Sequence, residues 1–257
     1  MLLVIDVGNT NMVLGLYKDD RLVRTWRMTT QSGRTSDEMG IIINSFFRDD
    51  NIDLSEITGA IIASVVPNIM YSLTHSIKKY IGIEPMIVSA DMDLGITIVR
   101  DNPRECGVDR IVDIVAAKEL YGTPSIVIDY GTANTFDVVN EKNEFITGFI
   151  TAGIKICAEE LYNRSAQLPK VELVSPKSIL AKDTVSSLQI GIVAGRIGET
   201  IGIINALREG LNIPHAKVIA TGGLANIIDP DHDIFDVYDP VLTLSGIKIL
   251  YDRNKKQ

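Results

Sequence analysis

Hydrophobic and polar positions along the chain alternate between a two-residue and a three-to-four-residue period, and each change of period marks a new element. Met1 to Ile5 is a short apolar run closed by Asp6, the pattern of a buried strand. It ends in Asp6-Val7-Gly8-Asn9-Thr10. A second strand from Met12 to Tyr17, a polar turn at Lys18-Asp19-Asp20-Arg21 and a third strand opening with Leu22-Val23 follow. The same order returns later: Val127-Ile128-Asp129-Tyr130-Gly131-Thr132-Ala133, a strand from Thr135 to Val139, a polar turn at Asn140-Glu141-Lys142-Asn143, and a strand at Phe145-Ile146. Two copies of one unit predict two similar domains.

Between the copies, Thr35 to Arg48 has helical spacing at Met39, Ile42, Ile43 and Phe46, with Ser36 as the predicted cap ahead of Asp37 and Glu38. Ala60 to Val66 is continuously apolar and β-branched, which predicts a strand buried on both faces, and Pro67 opens a helix through Tyr80. Met86 to Ser89 is a further short strand. Val108 to Leu120 is a helix stopped by Gly122-Thr123-Pro124, so the domains are predicted as residues 1–120 and 121–257. In the second half, Ile154 to Ala166 and Asp183 to Leu211 read as helices. The glycines at 191, 195, 198 and 202 share one side of the longer one, where a neighbouring helix or a second subunit is expected to pack closely. Lys217 to Ala220 is a strand leading through Thr221-Gly222-Gly223 into a helix, and Pro240 to Arg253 is a closing helix. Strands alternating with helices in both halves define an α/β fold.

Composition narrows the function. Of 257 residues, 33 are acidic and 25 basic, for a net charge of −8, so no nucleic-acid-binding surface is predicted; the one basic cluster begins at Arg253. No apolar run approaches the ~20 residues of a membrane span, and the first residues lack a charged leader. Cys106 and Cys157 have no metal-ligand spacing, which fits a reducing cytoplasm, and His75, His215 and His232 are too scattered for a zinc site.

The chemistry is concentrated in three glycine turns. Phosphate oxygens need backbone N–H groups that come close, which glycine permits, and a hydrated magnesium ion needs carboxylate oxygen. Asp6-Val7-Gly8-Asn9-Thr10-Asn11 and Asp129-Tyr130-Gly131-Thr132 supply both, and Thr221-Gly222-Gly223 adds a third turn at a predicted helix start. Each alone reads as an ordinary tight turn. Together they resemble the actin-like, sugar-kinase and Hsp70 class of ATPases, in which two ribonuclease-H-like domains face a nucleotide cleft. Neither a Walker-type phosphate loop nor the protein-kinase motif set is present.

One segment is more specific. Asp101-Asn102-Pro103-Arg104-Glu105-Cys106-Gly107-Val108-Asp109-Arg110, taken with the two Asp-x-Gly turns, Glu160-Leu161-Tyr162-Asn163-Arg164 and the closing Leu242-Thr243-Leu244-Ser245-Gly246, resembles the type III pantothenate kinases over essentially the whole chain. That resemblance implies phosphorylation of pantothenate by ATP, the first step towards coenzyme A, in a cytoplasmic homodimer. It implies that Asp6, Val7, Gly8, Asn9, Thr10, Asn11, Met12 and Val13 form an ATP phosphate loop, with Asp6 near magnesium and Thr132 as a further ATP contact. Asp109 matches the proton acceptor, within a pantothenate loop of Gly107, Val108, Asp109 and Arg110. Asp129 matches the ligand of a monovalent cation, potassium or ammonium, and Thr184 a pantothenate contact reaching the neighbouring subunit's substrate.

The chain departs from the family pattern in places. Ser89-Ala90-Asp91-Met92-Asp93-Leu94-Gly95 replaces a glycine-rich stretch with a lysine, Arg100 stands where many relatives have tyrosine, Ala152-Gly153 replaces Pro-Gly, and Ala181-Lys182-Asp183-Thr184 replaces Gly-Lys-Asn-Thr. Arg100 therefore faces either pantothenate's carboxylate or solvent. Read from the residues alone, Asp109 is a helix cap and Arg110 a surface cation. Two other functions share the motifs: a regulator that binds nucleotide without transfer, and a kinase for another small alcohol.

Overall fold

In a computed structural model, residues 1–231 and 233–255 are described; His232 lies outside them. The chain forms two compact units, one of residues 1–95, 101–116 and 243–257, the other of residues 96–100 and 117–242. Two segments thus fall on the other side of the boundary expected near residue 120: a short piece before Asp101 joins the second unit, and the closing helix joins the first.

The first unit is built on a five-stranded sheet. Its strands are β1 (Leu2–Val7), β2 (Asn11–Lys18), β3 (Arg21–Thr29), β4 (Gly59–Ser64) and β5 (Met86–Ile87), in the order β3-β2-β1-β4-β5. β1 pairs antiparallel with β2 and parallel with β4, so it is central, and its residues Leu3, Val4 and Ile5 are fully buried. The continuous apolar character of β1 and β4 follows from cover on both faces. On one face, Leu14 and Leu16 pack with Met39, Ile43 and Phe47 of α1 (Ser36–Asp49) and with Ile69, Leu73 and Ile77 of α2 (Pro67–Tyr80). Gly15, between those leucines, points to the other face, where an added Cβ would lie 3.0 Å from Leu244 of α7 (Leu242–Asn254). The cap of α1 is Thr35 rather than Ser36. Its hydroxyl accepts the Glu38 N–H while the Glu38 carboxylate accepts the Thr35 N–H at 2.7 Å, a reciprocal box that requires the acid three residues after the cap.

The second unit repeats the order. Its strands are β6 (Thr97–Ile98), β7 (Ser125–Tyr130), β8 (Ala133–Val139), β9 (Glu144–Ala152), β10 (Lys217–Thr221) and β11 (Val237–Tyr238), arranged β11-β10-β7-β8-β9-β6. Read from the other edge, β9-β8-β7-β10-β11 reproduces the first sheet, with the same antiparallel pair and parallel neighbour around the central strand. The extra strand, β6, pairs with β9. α3 (Val108–Tyr121), α4 (Ile154–Arg164), α5 (Thr184–Gly210) and the short α6 (Ala225–Ile228) complete the elements.

α5 settles where the glycines point. Its buried residues are Val193, Arg196, Thr200, Ile204 and Leu207. At about 100° per residue, Gly191, Gly195, Gly198 and Gly202 lie on the opposite side. An added Cβ at any of the four meets nothing within 4 Å, so no helix among the described residues packs there, and of the two expected neighbours only a second subunit remains.

Candidate active site

The first Asp-x-Gly turn closes the β1–β2 hairpin. Asp6 pairs with Val13 and Val7 with Met12 in the strand ladder; beyond them, the Gly8 N–H donates to the Asn11 carbonyl at 3.0 Å. Thr30 fastens the turn from β3's end, its N–H donating to the Thr10 carbonyl and its hydroxyl to the Gly8 carbonyl at 2.7 Å. Asn9 and Thr10 are exposed at the tip, and Asp6 is half-buried at the strand's C-terminal end. A ligand at this turn meets a backbone held by its neighbours rather than a mobile loop.

The second unit brings two of the three glycine turns together. Gly222 has φ +88°, a conformation that glycine adopts readily, and an added Cβ there would lie 2.5 Å from Asp129 Oδ1 and 2.6 Å from the Tyr130 carbonyl. On the other side, a Cβ at Gly131 would lie 3.1 Å from Asp129 Oδ2. The Asp129 carboxylate therefore rests between two glycines, each lying close to one of its oxygens. Gly153 closes the group from behind: an added Cβ would overlap the Thr132 carbonyl and come within 2.9 Å of the Gly131 oxygen. The helix expected after Gly222-Gly223 is only the four-residue α6, and Leu224 at its start makes no side-chain cap. Close backbone approach to Asp129, not a helix dipole, is what the glycine pair provides.

The substrate-type segment lies in the first unit. Asn102 Oδ1 accepts the Arg104 N–H at 3.3 Å and its amide donates to Glu105 at 2.8 Å, shaping a single 3-10 turn over Pro103–Glu105. Arg104 reaches Asp91 through Nε at 3.3 Å and Nη2 at 3.1 Å, so the stretch that departs from the family pattern supplies the partner of a motif arginine. Gly107 precedes α3, and the carboxylate of Asp109 folds back over it, with Oδ1 accepting the Arg110 N–H at 2.8 Å. Arg110 is not a surface cation: it is 8% exposed. Cys106 is buried as well, in keeping with a small packing residue.

Two further positions differ in setting. Arg100 is half-buried and does not turn its whole guanidinium to solvent. The group stacks over the Phe145 ring at 4.7 Å, and its Nε and Nη2 are buried with no protein hydrogen-bond partner. Thr184 is exposed in the first turn of α5, behind a cap in which Asp183 Oδ1 accepts the Ser186 N–H at 2.9 Å; that bond holds the Asp183 carboxyl below its usual range. Arg164 pairs with Glu160 on the exposed face of α4. Among the described residues no three His, Cys, Asp or Glu side chains gather as a metal cluster.

Sequence reasoning passed over a group of buried polar side chains in the second unit: Tyr130, Asn134, Arg196 and Thr200. Their signal was present, since Arg196 and Thr200 interrupt the apolar face of α5 at a spacing of one turn, and Asn134 occupies an inward position of a strand.

A duplicated five-strand order with an Asp-x-Gly hairpin at the end of each central strand defines the actin-like class of phosphotransferase folds. A solved structure described as a 2-dehydro-3-deoxygalactonokinase from Sinorhizobium meliloti shares that fold, with a TM-score of 0.61 at 10% identity over 97% of this chain and 95% of the other. The model of the type III pantothenate kinase family matches residues 2–206. Proteins named type III pantothenate kinase from Agathobacter rectalis and Geobacillus kaustophilus are each 46% identical over 257 residues, covering 100% of this chain and 99% of theirs. The chain belongs to the type III pantothenate kinase family.

Proposed function

We propose that this kinase transfers the γ-phosphoryl group of ATP directly to the primary hydroxyl of pantothenate, with Asp109 as the base, in the first step of coenzyme A synthesis. The observation that carries the choice of base is the carboxylate's setting at the head of α3. One oxygen is anchored by the Arg110 N–H, so the group is oriented and the second oxygen is left to take the hydroxyl proton as the new P–O bond forms. The departing ADP oxygen takes the electron pair of the broken bond. Because phosphoryl transfer consists mainly of positioning and charge neutralisation, the remaining work falls to the two turns.

In this reading Asp6 to Val13 and Thr132 hold ATP, while Gly107, Val108, Arg110 and Thr184 hold pantothenate. Magnesium bound with ATP draws most of its oxygens from phosphate and water and needs one or two carboxylates, a role that fits Asp6. When present it neutralises charge on the transferring group. Asp129, with the backbones of Gly131 and Gly222 close beside its two oxygens, is suited to a monovalent cation of potassium's size. Exchange of potassium for sodium is expected to lower kcat at least about tenfold, because the smaller ion needs closer ligands than this fixed frame offers. Equal rates in both salts would remove Asp129 from that role.

Arg100 is assigned to the carboxylate of pantothenate, since a guanidinium with two buried, unpartnered donors needs an acceptor. Arg100→Ala should raise KM for pantothenate by about tenfold or more with kcat nearly kept, and an unchanged KM would leave only its stacking on Phe145. The outer glycine face of α5, with Val185 and Ile201 exposed on the same helix, is assigned to a second copy of the chain in a cytoplasmic homodimer. α5 is also long and apolar enough to cross a membrane, but a helix whose other side enters a core, with Arg196 on it, is better suited to a dimer. No nucleic acid or membrane partner is part of this reading. The direct test is to incubate the protein with ATP, magnesium, potassium and pantothenate and to look for 4′-phosphopantothenate by mass. Nucleotide binding without that product would overturn the assignment in favour of a non-catalytic role or another alcohol.

A further inference from the structure

Tyr130, Asn134 and Thr151 are consecutive partners across β7, β8 and β9, so they form a row on one face of the second sheet. The face is otherwise apolar: Ile128, Phe136 and Val138 lie on it, against Val193 and Ile204 of α5. The row meets a matching pair on the helix. The Tyr130 and Thr200 hydroxyls, both fully buried, share a hydrogen bond at 2.7 Å. One turn earlier, Arg196, 6% exposed, donates to the Thr151 hydroxyl at 3.0 Å and to the Ala152 carbonyl at 2.6 Å, and pairs with Glu199. Asn134 sits between the two attachments with both amide atoms buried and without a protein partner. Burial drives the Tyr130 phenol well above its ordinary value, so it remains a neutral hydroxyl throughout the working range.

These attachments end on the second phosphate turn. Tyr130 is the residue between Asp129 and Gly131, and Ala152 precedes Gly153, whose backbone abuts the Thr132 and Gly131 carbonyls. Within the turn itself the Gly131 N–H donates to the Ala133 carbonyl at 3.2 Å. We infer that α5 sets the position of the Asp129–Thr132 turn through Thr200 and Arg196, which makes them positioning residues for nucleotide although neither belongs to the turn. The inference rests on the assignment of that turn to ATP. A buried polar row in an apolar face costs stability unless its geometry is kept, and that requirement fixes the register of helix on sheet. A shift of the order of 1 Å in such a frame is enough to lower catalysis about a hundredfold.

The test is a pair of variants read by kinetics and by calorimetric titration with ATP. Tyr130→Phe combined with Thr200→Val removes both hydroxyls and leaves no buried orphan, so the melting temperature should stay near that of the parent. Expected are a rise of about tenfold in KM and Kd for ATP and a KM for pantothenate within about twofold. Arg196→Lys, which keeps the charge beside Glu199 but loses the fork that holds Thr151 and Ala152 together, should move the ATP constants the same way. A lower melting temperature with unchanged ATP constants in both variants would show a structural role only and overturn the inference. If the parent protein binds ATP but yields no phosphopantothenate, the proposed reaction fails while the ATP titrations still decide the positioning role. If the parent binds no ATP, both fall.

Discussion

Asp109→Asn is expected to give a protein that folds, melts near the parent temperature and binds ATP, while kcat falls by about two to four orders of magnitude. The fold should survive because the amide oxygen of Asn can accept the Arg110 N–H as Oδ1 does now, so the head of α3 keeps its bond. What is lost is the ability to take a proton, since an amide is no base at neutral pH. KM for pantothenate should change far less than kcat, because a neutral group of the same shape still occupies the site. Turnover within about tenfold of the parent would remove Asp109 as base and direct attention to water as the proton acceptor.

The second large effect is on stability. Gly246 of α7 lies against the backbone of α3: an added Cβ would overlap the Val112 carbonyl oxygen and lie 2.7 Å from its carbon and 3.3 Å from the Ala116 methyl. Both contacts belong to helix interior, which cannot swing aside as a side chain does. Gly246→Val should therefore cost about 3 kcal/mol or more, even after allowing for the several tenths that a glycine-to-valine change returns in helix propensity. For a protein of this length that is a fall of roughly 6–12 °C in melting temperature, readable by calorimetry. An unchanged melting temperature would mean that α3 and α7 are not packed backbone to backbone.

Much of the architecture could be read in the chain before any coordinates. The repeat of Asp-x-Gly hairpins announced two sheets of one design, and Pro67 marked a helix start because its missing N–H is harmless there. The elements that escaped depend on distant partners. β6 is two residues long, and only its pairing with β9 makes it a strand. The glycines of α5 revealed a shared side, but periodicity cannot say whether a shared side faces in or out, and here it faces out. For the site, the turns were legible because their chemistry is local. The contact of Gly222 with Asp129, across the parallel pairing of β10 and β7, and the row joining Tyr130, Thr151 and Arg196 were not, since each joins residues from separate strands and helices. Burial of Arg110 was missed for a related reason: an arginine at a helix start is usually solvated, and only the packed surroundings overrule that habit.

The closing helix has a consequence for the order in which the protein can be made. Residues 117–242, nearly all of the second unit, are synthesised before α7, whereas the first unit, whose strands come earlier in the chain, still lacks α7 at that moment. Until then Gly15 and Gly59 have no Leu244 or Tyr251 to cover them. The strands of the first unit are thus made before the second unit and completed after it, so during synthesis the second unit is able to fold while the first still waits on α7.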